Sequence, residues 1–179
     1  MNDSSIVHVL EALKIRLDEE NVLAVHSTSG IYPKMGFVFN EPLTKYELEQ
    51  LIRKNNLDLP AEYREFLLLH NGAEFFTYEY GYSFCLYSIE DMIKEYHSLE
   101  EYCDVDYILN YCYPIGYMVD HGTLLLDLSN FKQTNKGNIL LMGVNTINLY
   151  CDLPTWLDRM LISQGNAYWE WYSKEVEFE

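Results

Sequence analysis

Side chains able to do covalent or metal chemistry are few in this sequence and far apart. Five histidines (His8, His26, His70, His97 and His121) and four cysteines (Cys85, Cys103, Cys112 and Cys151) are scattered over 179 residues. No two of them stand at the spacing of a zinc site, and no CxxC pair occurs. The phosphate-cradling, zinc-protease and nucleophile-elbow patterns GxxxxGK[ST], GxGxxG, HExxH and GxSxG are also missing. A thiol nucleophile needs a base beside it, and the only pairings to consider are Cys103 or Cys112 with His97 or His121. Unpaired thiols in such strands usually serve as small hydrophobes instead. The sequence therefore predicts no catalytic residue, no metal ligand and no cofactor.

Carboxylates are the chemistry this chain has in quantity. Asp and Glu number 28 against 12 Lys and Arg, a formal charge of −16. Such a charge repels nucleic-acid phosphate and anionic membrane alike, so a macromolecular partner held by charge should be basic. The acids concentrate in Ile89 to Asp106, where Glu90, Asp91, Glu95, Glu100, Glu101, Asp104 and Asp106 face the single Lys94. Tyr96, Tyr102 and Tyr107 are interleaved with them, among 16 tyrosines in all. Carboxylates beside tyrosine rings can take the places that phosphates and bases would fill in a basic nuclease cleft. The competing reading is a solvated helix face. A second candidate is the loop from Glu74 to Tyr82. The expected partner-binding set is Glu79, Tyr80, Tyr82, Glu95, Glu100, Glu101, Tyr102, Asp104, Asp106 and Tyr107.

The elements that must position these groups follow from periodicity and punctuation. Ile6, Val9, Leu10, Leu13 and Leu17 mark a leading helix over about Asp3–Glu20, standing apart from the rest, with Ser27–Gly30 in the loop beyond. Met35–Asn40 is a short strand. Thr44 and Glu47 form a capping box for a helix to about Asn55. Pro60 suits the first position of the next helix, and Asn71-Gly72 supplies its stop. His70, in that last turn, is expected to pack or to meet the helix end rather than act as a base. Glu74–Ser88 alternates as one or two strands, and Ser88 with Asp91 opens a helix to about Tyr102. Tyr113–Val119 and Thr123–Leu128 pair across an Asp120-His121-Gly122 turn. Asn138–Met142 and a weaker Asn145–Tyr150 follow. Asp152-Leu153-Pro154 starts a closing helix, bent or broken near Gly165.

Helices first, antiparallel strands in the middle and a helix at the end predict one α+β domain with helices packed on a mainly antiparallel sheet. The expected core spans about 37–162, with an acidic aromatic tail over 163–179. No basic start, long apolar run or disulfide pattern accompanies it, so a reduced, cytoplasmic protein without membrane contact is expected.

The order of these landmarks resembles the SUKH superfamily, which includes fungal cell-wall regulators and bacterial immunity proteins. The likeness rests on Tyr46-Glu47-Leu48-Glu49, Leu59-Pro60 with Tyr63, Phe66 and Leu67, and Asn71-Gly72. It continues through Pro114-Ile115-Gly116, Leu126-Asp127-Leu128, and Trp156, Leu157 and Leu161. Ala73 departs from the family's usual second glycine, and the resemblance leaves the acidic helix Ser88–Asp106 as an insertion. What it implies is a binding module without catalysis. In bacteria that means an immunity protein neutralising a cognate toxin domain, for which the acidity favours a nuclease, by direct stoichiometric binding. The alternative is a regulatory scaffold or small-ligand module of the same fold.

Overall fold

The structure, a computed structural model, describes residues 5–26, 32–134 and 136–171. The expected helix start at Asp3, the Ser27–Gly30 loop and the end of the acidic tail lie outside the described residues. Eight strands form one sheet: β1 (Val22–Ala24), β2 (Lys34–Phe39), β3 (Ala73–Thr77), β4 (Phe84–Leu86), β5 (Cys112–Met118), β6 (Gly122–Asp127), β7 (Asn138–Met142) and β8 (Thr146–Asn148). They lie in chain order and every neighbour is antiparallel. The expected α+β architecture is the one observed, with the sheet antiparallel throughout.

Alternation assigns the two faces of this sheet. Leu124 and Leu126 on β6, with Ile139 and Leu141 on β7, enter the main core beside Phe75, Phe84 and Ile115. Helices α1 (Ile6–Lys14), α3 (Ala61–Leu69) and α7 (Leu153–Ile162) supply that core with Ile6, Leu10, Phe66, Leu67, Trp156 and Leu157. The intervening Leu125 and Leu140 face the other way, into a smaller cluster with Leu99, Ile108 and Cys112. That cluster is roofed by the end of α4 (Ile89–Tyr102) and by α5 (Asp106–Tyr111). Helix α2 (Lys45–Lys54) opens on the expected capping box, Thr44 and Glu47 bonding each other's backbone. A four-residue α6 (Phe131–Thr134) and a 3₁₀ turn (Tyr168–Trp171) complete the described elements.

Several expectations change in detail. The leading helix does not stand apart: Ile6, Val9, Leu10 and Leu13 are all buried, and α1 packs on α3 and α7. It also ends at Lys14, before Leu17. Asp18 Oδ1 accepts the N–H groups of Glu20 (3.0 Å) and Val22 (2.9 Å), a local turn that competes with helix. Pro60 is the N-cap of α3, with ψ at 157°, rather than its first helical residue. Strand β1 and helices α5 and α6 are additions to the expected elements.

The two glycine motifs hold the scaffold together. Gly72 has φ of +98°, and a Cβ there would lie 2.9 Å from the Ser88 nitrogen. Beside it, Asn71 Oδ1 accepts the Ile89 N–H (2.9 Å) and its Nδ2 donates to Glu90 (2.8 Å), so the same motif that ends α3 also caps α4. At Gly116 the need is space, because a Cβ would come within 2.2 Å of the Cys85 carbonyl oxygen on β4.

Candidate functional site

Helix α4 sets the site, because its three sides have three environments. Its N-cap Ser88 accepts from Asp91 N–H, and acids in the first turn suit the positive end of the helix. Met92 and Leu99 point inward and are buried. At steps of four and three, Asp91, Glu95, Ser98 and Tyr102 form one flank, while Ile93 and Glu100 lie on the other and Glu101 and His97 face out. The seven acids therefore do not make one face.

The Asp91 flank overlooks the sheet. Between it and strands β3 and β4 runs a groove of about 280 Å³ lined by Glu74, Tyr82, Cys85, Tyr87, Asp91, Lys94 and Glu95, among others. Three carboxylates meet one ammonium there, which gives the groove a negative potential. Tyr102 donates to Glu95 Oε1 at 2.9 Å. Burial first, and then the Glu95 carboxylate, push the Tyr102 phenol up to about 12. Burial likewise raises Tyr82 and Tyr87, so these hydroxyls remain neutral donors at any physiological pH.

The structure brings together Tyr82, Glu95 and Tyr102 from the expected set and separates the others. Glu79 and Tyr80 lie exposed at the β3–β4 hairpin tip. Glu100 pairs with His97 at 3.0 Å on the opposite flank. Glu101, Asp104 and Asp106 are exposed around the α4–α5 connection. Tyr107 is engaged within the fold, since its hydroxyl donates to buried Asp127 and is bonded to Ser129, each at 2.9 Å, which pins α5 to the end of β6. Glu74 and Asp91 complete the groove. Glu74 is legible in principle, because it is the polar residue between buried Ala73 and Phe75 and must face the other side of the sheet.

Of the groups considered for catalysis, Cys112, His97 and His121 are engaged elsewhere. Cys112 is buried, and desolvation with the nearby Asp127 pushes its thiol up to about 12, far from a thiolate. His97 is paired with Glu100, and His121 lies against Trp169 and 3.9 Å from Glu170. His70 Nδ1 donates to the Asn40 carbonyl (3.1 Å), which leaves Nε2 to accept from Lys14 Nζ (2.6 Å). Among the described residues no group of three or more His, Cys, Asp or Glu is gathered to hold a metal. No described helix is long and apolar enough to cross a membrane.

Comparison with known proteins gives one family and two relatives. The pattern of the SMI1/KNR4 family (SUKH-1) matches residues 42–159, from α2 to near the end of α7. The uncharacterized protein YobM of Bacillus subtilis (strain 168) is 25% identical over 179 aligned residues, covering 94% of this chain and 93% of YobM. The uncharacterized protein YnaB of the same organism is 30% identical over 139 residues, covering 75% of this chain and 87% of YnaB. The matched region contains every residue named in the groove.

Proposed function

Given that the chain belongs to the SMI1/KNR4 (SUKH-1) family, we propose that it is an immunity protein that neutralises a basic toxin domain, a nuclease, by covering its cleft. The observation that carries this reading is the flank of α4. Asp91 and Glu95 on α4 and Glu74 on β3 line the groove with Tyr82 of the β3–β4 connection, and Tyr102 donates to Glu95 beside it, so the three carboxylates are fixed on a helix and a strand rather than on loops. A cleft built for a phosphate chain and stacked bases offers arginine, lysine and aromatic groups, to which this arrangement is complementary. Binding of this kind needs no turnover. It calls for one antidote per toxin, and its association should weaken with salt.

The test is co-expression with toxin domains encoded in its gene neighbourhood, reading survival and complex formation. A complex with rescued growth is expected, and normal killing without a complex overturns the proposal. Within a positive result, Glu74→Lys, Asp91→Lys and Glu95→Lys together should weaken the complex by at least about a hundredfold, as loss of several charge pairs does. The matched reversal Glu100→Lys, Glu101→Lys and Asp104→Lys, away from the groove, should cost less than about tenfold. Equal effects of the two sets would move the contact off the groove.

A further inference from the structure

At the other side of Tyr82 lies a second concavity with different chemistry. It measures about 360 Å³ and sits between the β3–β4 hairpin, the β5–β6 turn and the segment after α7. Tyr78, Tyr82 and Trp171 give it aromatic walls, and Asp120 and Glu170 give it carboxylates. No lysine or arginine lines it among the described residues.

Its walls are held by backbone rather than by chance side-chain contact. Tyr78 and Gly81 exchange both backbone hydrogen bonds (2.8 and 3.2 Å), which closes the hairpin tip and fixes Tyr78. Asp120 occupies the left-handed region (φ 65°) in the tight turn, with the His121 N–H bonded back to Met118. On the third side α7 stops where Gly165, at φ +81°, donates to the Met160 carbonyl. A Cβ on Gly165 would come within 3.0 Å of Ser83 Oγ and 2.9 Å of Phe76, so only glycine lets this segment close against the sheet. His121 packs edge-on against Trp169 and lies 3.9 Å from the Glu170 carboxylate at the rim.

Rings beside carboxylates, with His121 the one basic side chain in the lining among the described residues, are the recognition chemistry of an organic cation. We infer that this concavity is a socket for the guanidinium of a partner's arginine. A planar guanidinium can stack on a tyrosine or tryptophan face while its N–H fork meets the two carboxylates, which a compact ammonium does less well. The inference rests on the reading that the protein binds a basic protein, and it adds a second anchoring point to the α4 groove. Tyr82 is the wall common to both, so one partner surface could engage groove and socket together.

The test needs no toxin, so its failure is distinct from failure of the immunity reading. The isolated protein is titrated with N-acetyl-arginine methyl ester at constant ionic strength, following backbone amide NMR shifts. Saturable shifts centred on Ser83, Gly122 and Gly165 are expected. Asp120→Asn with Glu170→Gln should weaken them at least about tenfold, and Tyr78→Leu should weaken them with the carboxylates intact. Asp91→Asn with Glu95→Gln, in the groove, should leave them unchanged. The matching acetyl-lysine ester should bind more weakly. Shifts that do not saturate, that spread over the acidic surface, or that survive both socket variants overturn the proposal. Equal binding of the lysine ester overturns its guanidinium preference.

Discussion

The two faces of the sheet are built from the same strands yet end in opposite ways. On one face, alternate residues of β3 to β7 meet α1, α3 and α7 in a continuous core, with Phe75, Phe84 and Trp156 stacked or edge-on to one another. On the other, the end of α4 and α5 cover only the β5–β7 part through a cluster around Leu99, Ile108, Leu125 and Leu140, while Ile89 and Met92 at the start of α4 belong to the continuous core. Toward β2 and β3 that face is open, and Val38 and Glu74 are left exposed and half-buried, as is the far end of β5 at exposed Tyr117. Full burial demands apolar side chains, whereas a partly covered sheet can carry rings with polar tips and charges at its margin. The difference places the candidate binding groove where the covering helix stops.

Truncation on each face tests how unequal the two are and has the largest expected effect. Trp156→Ala removes a fully buried indole from the main core and should cost about 3–5 kcal/mol, enough to threaten folding of a domain with ordinary stability. Leu99→Ala in the smaller cluster should cost about 2–3 kcal/mol, since fewer neighbours are lost and the helix end can settle. Urea unfolding of both variants gives the comparison, and amide exchange locates it. The Leu99 variant should lose protection mainly in α5 and the end of α4, whereas equal global losses would mean that the two clusters act as one core.

The same inequality explains what is legible in the sequence. The continuous core announces itself: the capping box at Thr44, the Asn71-Gly72 stop, the Asp120-His121-Gly122 turn and the run Asn138–Met142 all stand where their residue types put them. Short pieces stabilised by tertiary contacts are silent. Helix α5 has six residues and no side-chain cap, so nothing local distinguishes it from an exit loop. β1 has three residues and exists through its pairing with β2. Of the site, the tyrosines and acids are readable from residue type, but their division among the flanks of α4 is not. That division turns on which side of the helix finds the sheet, a fact of packing rather than of composition.

A finer probe asks how each face holds its outermost helix. On the open face the link is Tyr107 to Asp127, a carboxylate that also accepts the Ser129 N–H at 2.8 Å. Tyr107→Phe removes one donor to a buried charge and keeps the ring packed on Tyr111. The expected cost is about 1–2 kcal/mol, read as a lower midpoint in urea with an unchanged slope. A neutral result would show that the apolar cluster and the remaining bonds to α5, such as Tyr96 to the Leu109 carbonyl, hold it and that the Tyr107 link is incidental.

On the closed face the corresponding link is Lys14 to His70 to the Asn40 carbonyl, with Lys14 also over the Phe39 ring at 5.2 Å. Burial, followed by the opposing Asn40 bond and then Lys14, leaves the His70 imidazole below its ordinary value. A histidine whose folded value is depressed binds its proton more readily when unfolded, so the neutral form stabilises the fold above the unfolded value of about 6.5. Stability should fall as pH drops below that point, when protonation turns the Nε2 acceptor into a donor facing an ammonium. The effect is the smallest of those argued, because the pair is only partly shielded from solvent. Thermal midpoints of the wild-type chain and His70→Gln, taken from pH 7.5 to 5.5, isolate it from the titration of the many carboxylates. The wild-type midpoint should drop more steeply than the variant's, whereas parallel curves would remove His70 as a pH-sensitive joint between α1 and the sheet.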